Sequence, residues 1–232
     1  MMVALLSNCK NSLLPLIPSL LPFFKSVCLF FILYEVNEDS ITFRMMKCLP
    51  IICLLLFYLS HKKNSVDQNV TAVCMGLIFS MTGDFLIVSR DYFIHSIVFF
   101  FLAHISYTIS FGFKPLNLTF MPFVFLVVAM TPKIFYKIGG VFYYPVLCYA
   151  FFISVMVWRA LTLAYAKYSD NQFSSICLTL GSLLFFTSDS ILGLSEFGDL
   201  IHDHYLVMTT YYSAQMLITI GSLNINTKKD IQ

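Results

Sequence analysis

Charge is what this chain has least of. Fourteen Lys or Arg and 12 Asp or Glu make up 11% of 232 residues, against roughly 25% in a typical soluble domain. With 59% of its residues hydrophobic, the chain cannot clothe a water-soluble fold in polar side chains. The net charge of +2 is too small for a nucleic-acid partner, and no basic run exceeds two residues. Short segments of alternating polarity are missing as well, which excludes a β-barrel. There is no Cys-x-x-Cys pair, no His-Glu-x-x-His helix and no Gly-x-Ser-x-Gly elbow. The seven cysteines, from Cys9 to Cys177, are scattered and read as small apolar packing residues. His95, His104, His202 and His204 lack metal-ligand spacing, and no metal or organic cofactor is expected.

What is present is a series of long apolar runs. A helix crossing a hydrocarbon core of ~30 Å needs about 20 mostly apolar residues. Polar breaks divide the chain into eight such segments: 13–34, 44–60, 68–88, 94–113, 117–135, 141–165, 173–194 and 204–223. The reading is an all-α, polytopic membrane bundle of about eight transmembrane helices. It forms one unit over 13–223, between tails at 1–12 and 224–232. The N-terminus lacks a clean leader pattern, so the first segment is read as a retained span. Pro15, Pro18 and Pro22 predict an irregular start there, and Pro122 and Pro132 a kinked or short fifth helix.

Eight spans put both termini on one face, with Lys10, Lys62, Lys63, Lys114, Lys167, Lys228 and Lys229. The opposite face holds Arg44, Arg90, Lys133 and Lys137, and most acids: Glu35, Glu38, Asp39, Asp91, Glu196, Asp199 and Asp203. The basic bias predicts cytosolic termini.

Against this background two acids stand out, because they fall inside spans. Asp84 closes a run that begins at Gly76, and Asp189 one that begins at Gly181. A carboxylate at a helix centre costs roughly 2.5–3.5 kcal/mol on insertion scales, so the pair is read as functional. At an offset of 105 residues Gly76 matches Gly181, Thr82 matches Thr187, Asp84 matches Asp189 and Tyr107 matches Tyr212. Four spans separate the matches, which suggests a parallel four-helix internal repeat with both aspartates facing one cavity. Other polar side chains within the spans are Lys47, His104, Tyr107, Arg159, Tyr211 and Gln215. Each has a plainer reading: snorkelling for Lys47 and Arg159, interface or packing roles for the histidine and tyrosines, interhelical bonding for Gln215. Ser80, Ser106, Ser188 and Ser190 have no context that marks a nucleophile.

Five motifs in register carry a family resemblance: Gly76 to Asp84 with Phe85 and Leu86; Phe101, His104 and Tyr107; Met156, Trp158, Arg159 and Ala160; Ser188, Asp189, Ser190 and Leu192; Tyr211 and Gln215. From about residue 47 to 221 the chain resembles the YhhN/TMEM86 family of lysoplasmalogenases. It departs from the pattern at Lys47-Cys48-Leu49-Pro50, where a Lys-Pro pair is expected, and at Thr82 and Ser188.

The resemblance implies a multi-pass hydrolase of the endoplasmic reticulum or another endomembrane. Its substrate would be a lysophospholipid, a lysoplasmalogen. Cleavage of the vinyl ether would release a fatty aldehyde and a glycerophospho-ethanolamine or -choline. Such a bond breaks after protonation of the β-carbon of the double bond. The reaction therefore needs an acid, an anion facing the cation, and a base for water. Asp84 and Asp189 can supply all three, sharing one proton. His104, Tyr107, Tyr211 and Gln215 would support them, and Lys47 or Arg159 would meet the substrate phosphate. Two other classes fit the same acids: a lipid or proton-coupled transporter, and a non-catalytic lipid sensor in which the aspartates form a structural lock. The transporter reading lacks paired Gly- or Pro-broken helices in the matching spans.

Overall fold

In the computed structural model, residues 11–34, 40–62, 67–135, 142–167, 171–198 and 203–223 are described. Eight α-helices occupy them: α1 (Ile17–Leu33), α2 (Ile41–His61), α3 (Gln68–Ile87), α4 (Phe93–Phe111), α5 (Met121–Ile134), α6 (Tyr143–Lys167), α7 (Gln172–Gly198) and α8 (His204–Ser222). Both expected tails, apart from residues 11 and 12, lie outside the described residues. So do Cys9, Lys10, Glu35, Glu38, Asp39, Lys63, Lys137, Asp199, His202, Lys228 and Lys229 of the sequence reading.

The ends follow local chemistry. A 3-10 turn, Leu14–Leu16, leads into α1, whose Pro18 sits in the first turn, where a missing N–H costs nothing. That turn is the irregular start the prolines predict. Ser40 caps α2 by accepting from the Phe43 N–H at 3.1 Å, and Asp203 caps α8 through the Leu206 N–H at 3.0 Å. Gly112, at φ +73°, ends α4 in a conformation that glycine adopts without strain. The fifth helix is the short one, 14 residues with Pro122 in its first turn and Pro132 near its end.

Six helical segments are long and apolar enough to cross a membrane: Asn11–Leu33, Ile41–His61, Gln68–Ile87, Arg90–Phe111, Tyr143–Ala166 and Gln172–Phe197. The protein is a multi-pass membrane protein. Two of the eight expected spans fall outside this set. One is α5, within the shorter apolar stretch Leu118–Ile134. The other is α8, whose centre carries Thr209, Thr210, Tyr211, Tyr212 and Gln215. Burial accounts for that polarity. Tyr211, Tyr212, Ala214, Gln215 and Ile218 are all 3% exposed or less, and α8 packs between α2, α3 and α7. Outward-facing apolar side chains such as Ile32, Leu56, Phe125 and Tyr165 remain uncovered, as a lipid-facing surface requires.

Consecutive helices pack side by side from α1 to α4 and from α5 to α8, and α4 also lies against α6. The tightest pairs are α3 with α4 and α7 with α8, and the repeat-matched glycines explain why. A Cβ on Gly76 would lie 2.5 Å from the Tyr107 ring. One on Gly181 would lie 2.9 Å from the Ile218 backbone nitrogen. The matched threonines also behave alike: Thr82 donates to the Ile78 carbonyl and Thr187 to that of Leu183. Helix α5, by contrast, packs mainly on α6. It reaches α7 through ring contacts, Phe123 with Phe186 and Phe135 with Phe197.

Candidate active site

Where α4, α6 and α7 meet, Asp189 accepts two hydrogen bonds on one oxygen. The Tyr149 hydroxyl donates to Oδ2 at 2.5 Å, and Nε2 of His104 lies 3.0 Å from the same atom. Nε2 is also 2.9 Å from the Tyr149 hydroxyl, so the three groups close a triangle. His104 is wholly buried, while the Asp189 side chain is 11% exposed. Phe185 backs the histidine ring edge-on at 4.8 Å. A carboxylate held by two donors is fixed in position and compensated for its burial.

Asp84 has a different setting. It is 1% exposed, and its Oδ2 accepts from the Tyr211 hydroxyl at 2.6 Å. Lys47 lies within electrostatic reach of it, although among the described residues no direct ion pair joins them. The next tyrosine along α8 holds that lysine's backbone: Tyr212 donates to the Lys47 carbonyl at 2.9 Å. Cys48 adds a contact to the Met81 carbonyl at 3.4 Å. Adjacent residues of α8 therefore fix the carboxylate of α3 and the lysine turn of α2.

The two aspartates are braced from different helices. Asp84 on α3 is held from α8, and Asp189 on α7 is held from α4 by His104 and from α6 by Tyr149, so each carboxylate has a partner in the other four-helix half of the bundle. Their charges lie within reach of each other. Rings connect their surroundings: Tyr211, which holds Asp84, packs on Phe185, which backs His104, at 5.5 Å and on Phe100 at 6.1 Å.

A cavity of about 320 Å3 opens beside Asp189. Helices α4, α5, α6 and α7 build its walls, with Ile87 at the end of α3, and they are almost wholly apolar: Ile97, Phe100, Met130, Ile153 and Phe186 are representative. The polar exceptions are Asp189, Tyr149, Thr131, Ser190 and Glu196. Thr131 and Ser190 spend their hydroxyls on the Val127 and Phe186 carbonyls one turn back. Asp84 is not among the lining residues. The expectation that both carboxylates face one cavity is thus corrected: Asp189 lines the wall and Asp84 does not, being 1% exposed and bonded to Tyr211, whose ring packs on the lining residue Phe100.

The remaining expected residues divide clearly. Tyr107 donates to Oε1 of Gln215 at 2.6 Å, both fully buried, tying α4 to α8. Arg159 lies apart from the aspartates. Its Nε donates to the Gly112 carbonyl at 2.8 Å and its Nη1 to that of Pro115 at 3.0 Å. Trp158 beside it donates to the Asn117 carbonyl at 2.9 Å, so α6 clamps the α4–α5 connection. Arg159 is 0% exposed, gives Nε and Nη1 to backbone carbonyls and leaves Nη2 without a partner; it lies away from the aspartates and is not placed to meet a phosphate beside them. Ser106 and Ser188 donate to the Leu102 and Val207 carbonyls, which occupies the hydroxyls a nucleophile would need. Of the histidines, His95 lies by Tyr92 and His204 by Tyr34, away from His104 and its aspartate.

Tyr149 is the residue that sequence reasoning missed. It is one of 13 tyrosines and sits in an apolar stretch with no polar neighbour to mark it. The one available signal was depth: it lies a turn and a half inside the start of α6.

Residues 42–222 match the model of the YhhN family. The chain is 33% identical over 213 residues to lysoplasmalogenase TMEM86A of Bos taurus, covering 89% of each chain. It is 33% identical over 217 residues to human lysoplasmalogenase TMEM86A, again over 89% of each. With human lysoplasmalogenase TMEM86B the identity is 31% over 211 residues, or 87% of this chain and 85% of the relative. No solved structure matches.

Proposed function

The chain belongs to the YhhN family, and from that premise we propose that it is a membrane-embedded ether hydrolase that cleaves the vinyl-ether bond of lysoplasmalogens. The observation that carries this reading is a carboxyl, Asp189, held by Tyr149 and His104 at the wall of an apolar cavity. A lysolipid needs apolar walls for its chain and one well-placed acid for its ether.

Asp189 is the group that meets the substrate. Its carboxyl gives a proton to the β-carbon of the alkenyl chain. The C–H bond forms as the double bond's π pair is spent, which leaves an oxocarbenium ion. The resulting carboxylate faces that cation and stabilises it without reorganising, because its donors are already in place. It then takes a proton from the water that adds to the α-carbon, giving a hemiacetal. Breaking the hemiacetal's bond to the glycerol oxygen, with a proton transferred to that oxygen, yields a fatty aldehyde and the glycerophospho-alcohol. One water is consumed and Asp189 ends as it began.

Tyr149 and His104 are positioning residues, since they act on the substrate through Asp189. Asp84 contributes electrostatically from outside the cavity lining, with Lys47 as its countercharge. Lys47 is thereby more useful to Asp84 than to a substrate phosphate. With the lysine-rich terminal face taken as cytosolic, in the endoplasmic reticulum or another endomembrane, the cavity sits toward the non-cytosolic face.

The test is aldehyde release from an ethanolamine lysoplasmalogen by the purified protein in detergent. Wild type turns over, and folded Asp189→Asn loses at least roughly 100-fold in kcat, the low end of what a positioned acid contributes. Folded wild-type protein that releases no aldehyde from any lysoplasmalogen overturns the reading.

A further inference from the structure

The cavity carries a second acid that the proposed chemistry does not use. Glu196 lines it together with Asp189 but is exposed, so it marks the mouth. Seven residues of continuous α7 separate the two. At 3.6 residues per turn and 1.5 Å rise, that puts them on one helix face about 10 Å apart. Leu192 and Gly193 line the wall between them.

Three phenylalanine rings of the lining gather on the residue next to Glu196. Phe93, Phe135 and Phe197 all line the cavity, and Phe197 is their centre: its ring lies 5.9 Å from Phe93 and 6.5 Å from Phe135. Gly193 lets the Phe135 ring lie close over α7, since a Cβ there would come within 3.3 Å of it. A carboxylate next in the chain to a cluster of aromatic rings suits an organic ammonium. The acid supplies charge, and the rings supply quadrupole attraction without demanding N–H groups.

We propose that Glu196, with Phe93, Phe135 and Phe197, binds the ammonium of the substrate's head group and sets head-group preference. The proposal rests on the lysoplasmalogenase reading and adds the head-group subsite to it. Substrate dimensions agree. Eleven bonds run from the β-carbon that Asp189 protonates, through the ether oxygen, glycerol and phosphate, to the amine nitrogen. Extended, they span roughly 14 Å at ordinary bond lengths and angles, so a partly folded head group bridges the distance from Asp189 to Glu196. A primary ammonium would also donate hydrogen bonds to Glu196, whereas a trimethylammonium depends more on the rings.

The experiment compares three alkenyl substrates of equal chain length on the full-length protein: phosphoethanolamine, phosphocholine, and the bare glycerophosphate. Glu196→Gln should raise KM about fivefold for the two ammonium substrates. It should leave kcat within twofold and leave the glycerophosphate unaffected. Phe197→Leu should raise KM more for choline than for ethanolamine. Equal effects on all three substrates, or none, overturn the proposal while the hydrolase reading stands.

Binding of uncleavable alkyl-ether analogues, phosphocholine against glycerophosphate, provides a readout that does not depend on turnover. Wild type should prefer the phosphocholine analogue, and Glu196→Gln should lose that preference. A wild type without the preference also sinks the proposal. Failure of the hydrolase reading would appear separately, as absent aldehyde with the preference intact.

Discussion

The Tyr149 hydroxyl lies 2.5 Å from Oδ2 of Asp189, and His104 shares that oxygen from beside it, its Nε2 2.9 Å from the same hydroxyl. The contact joins α6 to α7 at the cavity wall, so the carboxyl to which the proposal gives the proton transfer is aimed by a neighbouring helix as well as by its own. Tyr149→Phe removes one charge-assisted donor and leaves the ring packing intact. A hydrogen bond to a charged group is worth about 1.5–3 kcal/mol, so kcat should fall roughly 10- to 100-fold with little change in KM. Steady-state aldehyde release decides it: a variant at wild-type rate would remove Tyr149 from the site.

Asp84 and Asp189 should differ in the severity of loss, since one touches the cavity and the other does not. Folded Asp84→Asn keeps a partner for Tyr211 but deletes the charge facing Lys47. Its kcat should drop by about 10-fold, well short of the Asp189→Asn defect, if its influence reaches the cavity at the reduced strength expected of a non-contacting charge. Lys47→Met in the Asp84→Asn background should be milder than Lys47→Met alone, where Asp84 is left buried without its countercharge. Equal, near-complete losses for both aspartate variants would instead place Asp84 in contact with the substrate.

The carboxylate pair was legible in the sequence because charge inside an apolar run is rare and because the two runs match. Gly76 and Gly181 were legible for the same reason, and both prove to sit where helices come closest. What the pattern could not show was which aspartate reaches open space. That depends on Phe100, Phe185 and Tyr211, rings that read as ordinary core until their partners across the bundle are known. Tyr149 was hidden likewise, among tyrosines that look alike in one dimension. The polarity of α8, which weakens it as a span by composition, comes from the partners it serves: Asp84, the Lys47 carbonyl and Tyr107.

The cavity itself should set the tolerance for the alkenyl chain. At about 320 Å3 it falls in the range of small-ligand pockets, roughly 300–1,000 Å3, so on the proposed function its walls contact the alkenyl chain. Helix α5 forms one wall and packs mainly on α6, and Met130 lines the cavity while remaining 38% exposed. Met130→Trp should narrow that side with little cost to folding. The expected result is a KM raised several-fold for a long-chain lysoplasmalogen and less for a short-chain one. A uniform effect across chain lengths would mean the chain leaves by another side.

Arg159 should behave as a structural residue, despite belonging to a family motif. Its Nε and Nη1 reach two carbonyls, Gly112 and Pro115, in the connection that leads to α5, and it is 0% exposed. Arg159→Met removes both bonds and leaves two acceptors to find other partners. At roughly 1.5–3 kcal/mol for each bond to a charged donor, the loss should be about 3 kcal/mol or more. Arg159→Lys should recover only part of it, because a single ammonium does not reproduce the planar fork that serves both carbonyls. Thermal unfolding in detergent should therefore show a clear drop in Tm for both variants, larger for Met. On the proposed function, the surviving folded fraction should retain wild-type KM, since Arg159 spends Nε and Nη1 on the carbonyls of the α4–α5 connection, away from Asp189. A raised KM at unchanged Tm would reverse the assignment and return Arg159 to the substrate.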